Sequence, residues 1–336
     1  MPTLEDVARR AGVSTASVSR FLNTPDRVRQ ERRDRIESAV SALGYVPHGA
    51  ARALASQRTQ TIGAVIPTLD NAIFAQGVQA FQRRLHAEGY TLLLASFDYD
   101  QDEEVRNVDA LLTRGVDALL LVGCSHAEKL YERLEKKGVP YVQTWTLDPG
   151  QAHPCVGFDN REAARRMASY LIDIGHREIA LVIGLTEGND RAAERAAGVR
   201  DALSERGLPL PPDRYLQKRY DVAEGRSAMG QLLDRPVPPT AVICGNDVLA
   251  MGALFECQAR GVPVPEMMSI TGFDDLPLSA NLQPPLTTLH IPAVEMGRRA
   301  AEYLLARLGG EPMPRSTELE VGLLVRGTTA PPPVRK

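Results

Sequence analysis

Two sets of residues in this sequence have the types and spacing to do chemistry. The first is compact: Thr15, Ala16, Ser17, Ser19 and Arg20, short side chains with one guanidinium among them. A face of that kind can lie flat in a DNA major groove, where arginine hydrogen-bonds guanine and hydroxyls reach phosphates or bases. The second set is dispersed. Asp70, Asn71 and Phe74 come first, then Trp145, Phe158 and Asp159. Further on stand Arg191, Arg195 and Tyr220, Asn246 beside Asp247, and Asp274 beside Asp275. Carboxylates, amides and guanidiniums near aromatic faces are what a polyol needs: paired hydrogen bonds to hydroxyls and stacking on C–H surfaces. For any one of these residues a capping or surface role competes equally; as a set at successive strand ends they point to a pocket.

The compact set needs a short helix to present it. Thr3 stands three residues before Asp6, the spacing of a capping box, and predicts a helix to about Arg10 with Leu4, Val7, Ala8 and Ala11 on one face. Gly12 breaks it. Ser14 is placed to cap a second helix, with Val18, Phe21 and Leu22 inward. Ala8, Gly12 and Val18 together suit two helices crossing steeply through a short turn. A third helix, about Gln30 to Leu43, brings Ile36, Val40 and Leu43 to a small core, and Gly44 can stop it.

The dispersed set needs a different scaffold. From Thr61 onward, apolar runs at Ile62–Ile66, Leu92–Ala95, Ala118–Val122 and Tyr141–Val142 alternate with helical patterns such as Phe74, Val78, Phe81 and Leu85. The alternation restarts after Asp159, with strands expected at Ile179–Ile183, Ala241–Cys244 and Ser269–Thr271. Two consecutive series of this kind predict two doubly wound α/β lobes, with a ligand cleft outside the carboxyl ends of their strands.

Charge is divided unevenly. Residues 1–60 hold ten arginines, no lysine and six acids, a balance of +4, whereas the rest hold 29 bases and 36 acids, a balance of -7. A basic head on an acidic body suits a polyanion partner for the head. The apolar run Ala118–Val122 is far short of the roughly 20 residues that cross a bilayer. The opening residues have acids where a secretory signal would be basic and apolar, so the expected location is the cytosol, with no membrane partner. Cys124, Cys155, Cys244 and Cys257 lack CxxC spacing and suit a reducing compartment. Six histidines without an HExxH pattern predict no metal site, and no glycine-rich phosphate cradle predicts a cofactor.

The segments TLEDVARRAGVSTASVSRFLN and YVPHGAARALASQRTQTIGAVIP closely resemble the LacI/GalR family of bacterial transcription regulators, and the resemblance extends along essentially the whole chain. It implies an all-α helix-turn-helix head and hinge helix joined to a two-lobed core like periplasmic binding proteins. It implies groove reading by Thr15, Ala16 and Arg20, and a hinge helix over Gly49–Ser56 that folds on DNA, with Arg52 on it and Leu54 wedged into the minor groove. Effector contacts carry over to Phe74, Asp159, Arg195, Tyr220, Asn246 and Asp274. The motifs NAIFA, VGFDN-REAAR and GALFECQARGVPVP look closest to the gluconate-repressor branch, which suggests a sugar acid paired with Arg191 or Arg195; the GFDD at residues 272–275 departs from that branch. A second departure lies at the third helix, where Arg29 and Arg32 replace a serine and a threonine; a helix cap is lost and phosphate contacts are possible in exchange.

The expected division is a head at 1–46, hinge and linker at 47–60, one lobe from 61–158 and 291–318, the other from 159–290 and 319–330, and a tail at 331–336. The expected activity is that of a repressor that binds a palindromic operator as a homodimer and is released by a sugar or sugar acid. The tail lacks the leucine heptads that would favour a tetramer. A sugar-binding solute receptor is the alternative for the lobes; a sugar kinase or dehydrogenase would need the missing cradle.

Overall fold

The computed structural model describes residues 2–46, 58–147, 150 and 152–334. The expected hinge helix over Gly49–Ser56, with Arg52 and Leu54, lies outside the described residues. The chain divides into two compact units, Met1–Thr61 and Ile62–Lys336.

The first unit is three helices, α1 Leu4–Ala11, α2 Thr15–Asn23 and α3 Gln30–Leu43. The capping box forms as its spacing requires: the Thr3 hydroxyl accepts the Asp6 N–H at 3.3 Å, and the Asp6 carboxylate accepts the Thr3 N–H at 3.0 Å. Gly12 ends α1 in the left-handed region at φ 62°, and Arg35 Nη2 donates to its carbonyl at 3.2 Å. Ser14 caps α2 by accepting the Ser17 N–H. α3 starts at Arg29 with no side-chain cap, which is the consequence expected of arginine at that place. Val7, Ala8, Ala11, Val18, Ile36, Ala39 and Tyr45 form the unit's core.

The second unit contains two sheets. The larger runs β2-β1-β3-β4-β5-β11, from Thr91–Ser96 (β2), Thr61–Ile66 (β1), Ala118–Val122 (β3), Tyr141–Thr144 (β4), Cys155–Gly157 (β5) and Ser316–Glu318 (β11). β1 pairs with β3, β3 with β4, β4 with β5 and β5 with β11, all parallel. The smaller runs β7-β6-β8-β9, from Tyr215–Lys218 (β7), Ile179–Gly184 (β6), Ala241–Cys244 (β8) and Ser269–Thr271 (β9), again parallel. A short antiparallel pair, Thr288–His290 (β10) with Gly322–Leu324 (β12), completes the strands described. Helices separate the strands: α4 Ala72–His86, α5 Gln101–Thr113, α6 Glu128–Lys137, α7 Asn160–Asp173, α8 Asp190–Glu205, α9 Val222–Leu233, α10 Asp247–Ala259 and α11 Ala293–Gly309.

The central strands read as unbroken apolar runs because both of their faces are covered. In β3, Ala118, Leu120 and Val122 belong to one core cluster, and Leu119 and Leu121 to the cluster on the opposite face. Both sheets are doubly wound, and each reverses its strand order once, between β1 and β3 and between β6 and β8. Loops at such switch points diverge and leave a crevice.

Candidate functional site

The head presents the compact set largely as its pattern requires. Thr15, Ala16 and Arg20 are exposed on α2, Ser17 and Ser19 are half-buried, and Arg29 is exposed at the start of α3. The Ser17 hydroxyl is engaged with that of Ser14 at 3.0 Å, so Thr15, Ala16 and Arg20 are the outward groups.

Eight residues of the dispersed set line one cavity between the carboxyl ends of the two sheets. From the larger sheet come Asn71 and Phe74 after β1 and Trp145 after β4. From the smaller come Arg191 and Arg195 after β6, Tyr220 after β7, Asn246 after β8 and Asp274 after β9. Each position has a local cause. Asn71 and Asn246 cap α4 and α10, accepting from Ile73 N at 3.3 Å and Leu249 N at 2.9 Å. Trp145, at φ 59°, lies edge-on to Phe74 with ring centroids 5.2 Å apart. The Tyr220 ring packs over Gly184 at the end of β6, where a Cβ would come within 2.3 Å of it.

Arg195 is held on three sides. Its Nε donates to Asn160 Oδ1 at 2.9 Å, its Nη1 donates to the Gly245 carbonyl at 2.7 Å, and its guanidinium carbon lies 3.6 Å from the centre of the Phe273 ring. Burial lowers its pKa from the ordinary arginine value. Asp274, only 3% exposed and at φ 125°, has its carboxyl pushed well above the usual range by burial, with Arg195 pulling it down and Asp247 pushing it further up.

Among the described residues, three buried polar atoms of residues lining the cavity have no hydrogen-bond partner: Trp145 Nε1, Asn246 Nδ2 and Asp274 Oδ2. A buried orphan is costly, and two N–H donors and a carboxyl oxygen on residues lining one space fit a ligand with hydroxyls, each of which can donate or accept.

Asp159 does not join them. It is exposed and caps α7, its Oδ1 accepting the Glu162 N–H at 2.9 Å, because the first carboxylate before a helix is drawn to the free N–H groups there. The next residue, Asn160, turns inward instead. Asp70 is exposed as well. Asp247 is buried but points elsewhere, accepting from Leu276 N, Ser279 Oγ and Thr288 Oγ1. Asp275 pairs with Arg326 and His290. Phe158 packs near Phe273. The sequence reading missed Ile73, Tyr99 and Asn189 on the cavity wall. Tyr99 sits in a polar stretch with no periodicity to mark it; Asn189 carried the signal of a helix cap, which it is, accepting from Ala192 N. No group of acidic, histidine or cysteine side chains among the described residues is arranged to hold a metal ion. No helix among them is long and apolar enough to cross a membrane.

Residues 3–48 match the family described as bacterial regulatory proteins, lacI family, and residues 168–329 match the periplasmic binding protein-like domain. The HTH-type transcriptional repressor CytR of Escherichia coli (strain K12) is 33% identical over 328 residues, 97% of this chain and 96% of that protein. The chain belongs to the LacI family. Also similar to it is the HTH-type transcriptional regulator GntR of Pseudomonas aeruginosa, 37% identical over 98% of this chain and 96% of that one. That similarity supports the gluconate-repressor branch resemblance read from the motifs. Among solved structures, the lac repressor dimer bound to operator and the anti-inducer ONPF superposes with a TM-score of 0.86 at 26% identity, covering 98% of this chain and 99% of that one. The chain is thus a LacI/GalR-type transcription regulator with a helix-turn-helix head and a two-lobed α/β core, and these relatives are regulators of transcription rather than enzymes.

Proposed function

We propose that this LacI-family chain is a cytoplasmic, non-enzymatic repressor that binds a palindromic operator as a homodimer and releases it when a sugar or sugar acid occupies the cleft. Thr15, Ala16 and Arg20 read the major groove in this scheme, with Ser17, Ser19, Arg29 and Arg52 on the backbone and Leu54 as the minor-groove wedge. The effector's hydroxyls meet Trp145, Asn246 and Asp274, with Asn71, Phe74 and Tyr220 shaping the space. Asp159 is no longer part of that set.

The observation that carries the reading is the trio of orphaned polar atoms, two donors and one carboxylate oxygen, in a cavity formed at the switch points of both sheets. Such atoms are satisfied by a polyol and by little that is apolar. The similarity to GntR and the guanidinium of Arg195 favour an acid over a neutral sugar.

Thermal unfolding of the full chain against gluconate, related sugar acids and neutral sugars tests the reading. A ligand at 100 times its Kd adds about 2.7 kcal/mol of stability. A rise in midpoint with gluconate or a related acid alone, together with loss of operator retardation, supports the acid; a response to neutral sugars alone removes the acid and keeps the effector. No response to any of them removes the sugar effector.

A further inference from the structure

Beside the cavity, two consecutive residues of the smaller-sheet lobe grip the end of β3 and the loop after it in the other. Asp190 Oδ2 accepts the Cys124 backbone N–H at 3.0 Å and its thiol at 3.2 Å. Arg191 Nη1 donates to Asp190 Oδ1 at 2.7 Å and to the Val122 carbonyl at 3.2 Å, and Tyr99 from the β2–α5 loop lines the cavity with it. Both side chains are nearly closed off from solvent, Arg191 at 6% and Asp190 at 11%. The approach is close: at Gly123, φ 91°, a Cβ would lie 1.9 Å from Arg191 Nη1 and 2.5 Å from Asp190 Oδ1. At Gly188 a Cβ would lie 3.0 Å from the Tyr99 carbonyl.

We propose that Asp190 and Arg191 form a clasp that holds the two lobes closed without a ligand, and that Arg191 is a positioning residue for closure rather than an effector contact. Its Nη1 is committed to Asp190 beside it and to the Val122 carbonyl of the other lobe, which leaves it fewer N–H groups for a carboxylate. Arg195 is the second cation on the cavity wall for an acidic effector, a consequence that rests on the effector reading above. The clasp itself does not. A buried ion pair gives up solvation as it gains attraction, so its net hold is modest and the lobes stay within reach of a ligand that prefers one arrangement.

Cys124 reports on the clasp. It is exposed as a residue, while Cys155, Cys244 and Cys257 are buried. Burial, and next the Asp190 carboxylate, push its thiol up to about 12, whereas Arg191 pulls it down. Removing the Arg191 charge with the lobes still closed therefore slows labelling of Cys124 by an aromatic disulfide reagent, because less thiolate is present. Opening the clasp speeds it by freeing the thiol from Asp190.

The expected result for Arg191→Gln in the full chain, with no ligand present, is labelling of Cys124 several-fold faster than wild type. The fast phase disappears when Cys124→Ala is added. Unchanged or slower labelling overturns the clasp. Residue-resolved amide exchange guards against simple unfolding, since the Gly123 N–H donates to Thr144 O inside its own lobe and should stay protected while Cys124 loses protection. If Gly123 loses protection too, Arg191→Lys decides the matter, because it keeps the charge and loses the fork: faster labelling supports the clasp and an unchanged rate overturns it. A sugar panel without effect would sink the effector reading and leave this result standing.

Discussion

Trp145 and Arg195 stand in different lobes, yet one amide joins them: Asn160 donates to the Trp145 carbonyl at 2.9 Å and accepts from Arg195 Nε at 2.9 Å. Asn160 opens α7 directly after the chain has left β5. The same residue therefore orients a cavity wall from each side, and any change in the angle between the lobes is felt at both.

Asn160→Ala removes that link and leaves Arg195 buried with fewer acceptors. Effector affinity is expected to fall roughly tenfold, about 1.4 kcal/mol, with operator affinity retained. Arg195→Ala should abolish the effector response altogether. Calorimetric titration of effector alongside gel retardation of operator measures both, and a normal induction curve for Arg195→Ala would rule out its role.

Asp274 should make stability depend on pH. Burial raises its carboxyl pKa on folding, so the native state holds the proton more tightly than the unfolded chain. Stability is then fully present below the usual carboxylate value of about 4 and is lost as pH rises through the raised folded value. Asp274→Asn should flatten that decline and leave the protein more stable than wild type near neutrality, at the cost of effector binding. Any slope that remains has a source in Asp247, which burial shifts in the same direction. Unfolding midpoints over the range above about pH 4 provide the check.

Gly77→Ala pits two effects against each other. Alanine improves a helix interior by up to ~1 kcal/mol, but here its Cβ would lie 2.4 Å from Trp145 Cη2, and overpacking costs about 1–3 kcal/mol. The Trp145 ring is rigid and only 2% exposed, so the clash should win. A lower denaturant midpoint is expected, together with weaker effector binding because the indole N–H is displaced.

Arg29→Ser restores a side chain that can cap α3. The head should gain about 0.5–1 kcal/mol. If Arg29 neutralises a phosphate, the salt dependence of DNA binding should shrink by about one unit of slope for each phosphate that the serine leaves unneutralised. Amide exchange in α3 and operator titrations at several salt concentrations read the two effects separately; an unchanged slope would take Arg29 out of the interface.

Much of the fold was legible for a simple reason. The box of Thr3 and Asp6, the cap at Ser14 and the left-handed glycines at 12 and 44 act within a few residues, so their signals are local. The strands β1, β3, β6 and β8 lie in sheet interiors, covered on both faces, and so appear as apolar runs. β5, β10, β11 and β12 were missed: each is three residues long and takes its place from its neighbours rather than from its own pattern. β7 is four residues, none of them fully buried.

The sequence by itself determined the two kinds of unit, the outward residues of α2 and most of the polar groups at strand ends, because these follow from periodicity and from where doubly wound sheets leave crevices. Only the tertiary structure decided which of two adjacent residues, Asp159 or Asn160, is buried and joins Trp145 to Arg195. Only it brought Tyr99 and Arg191 to one cavity wall, and Asp190 to Cys124. Those choices depend on which donors and acceptors meet when distant loops are packed together. A hydrogen bond depends on distance and direction, and neither is set until both loops are in place.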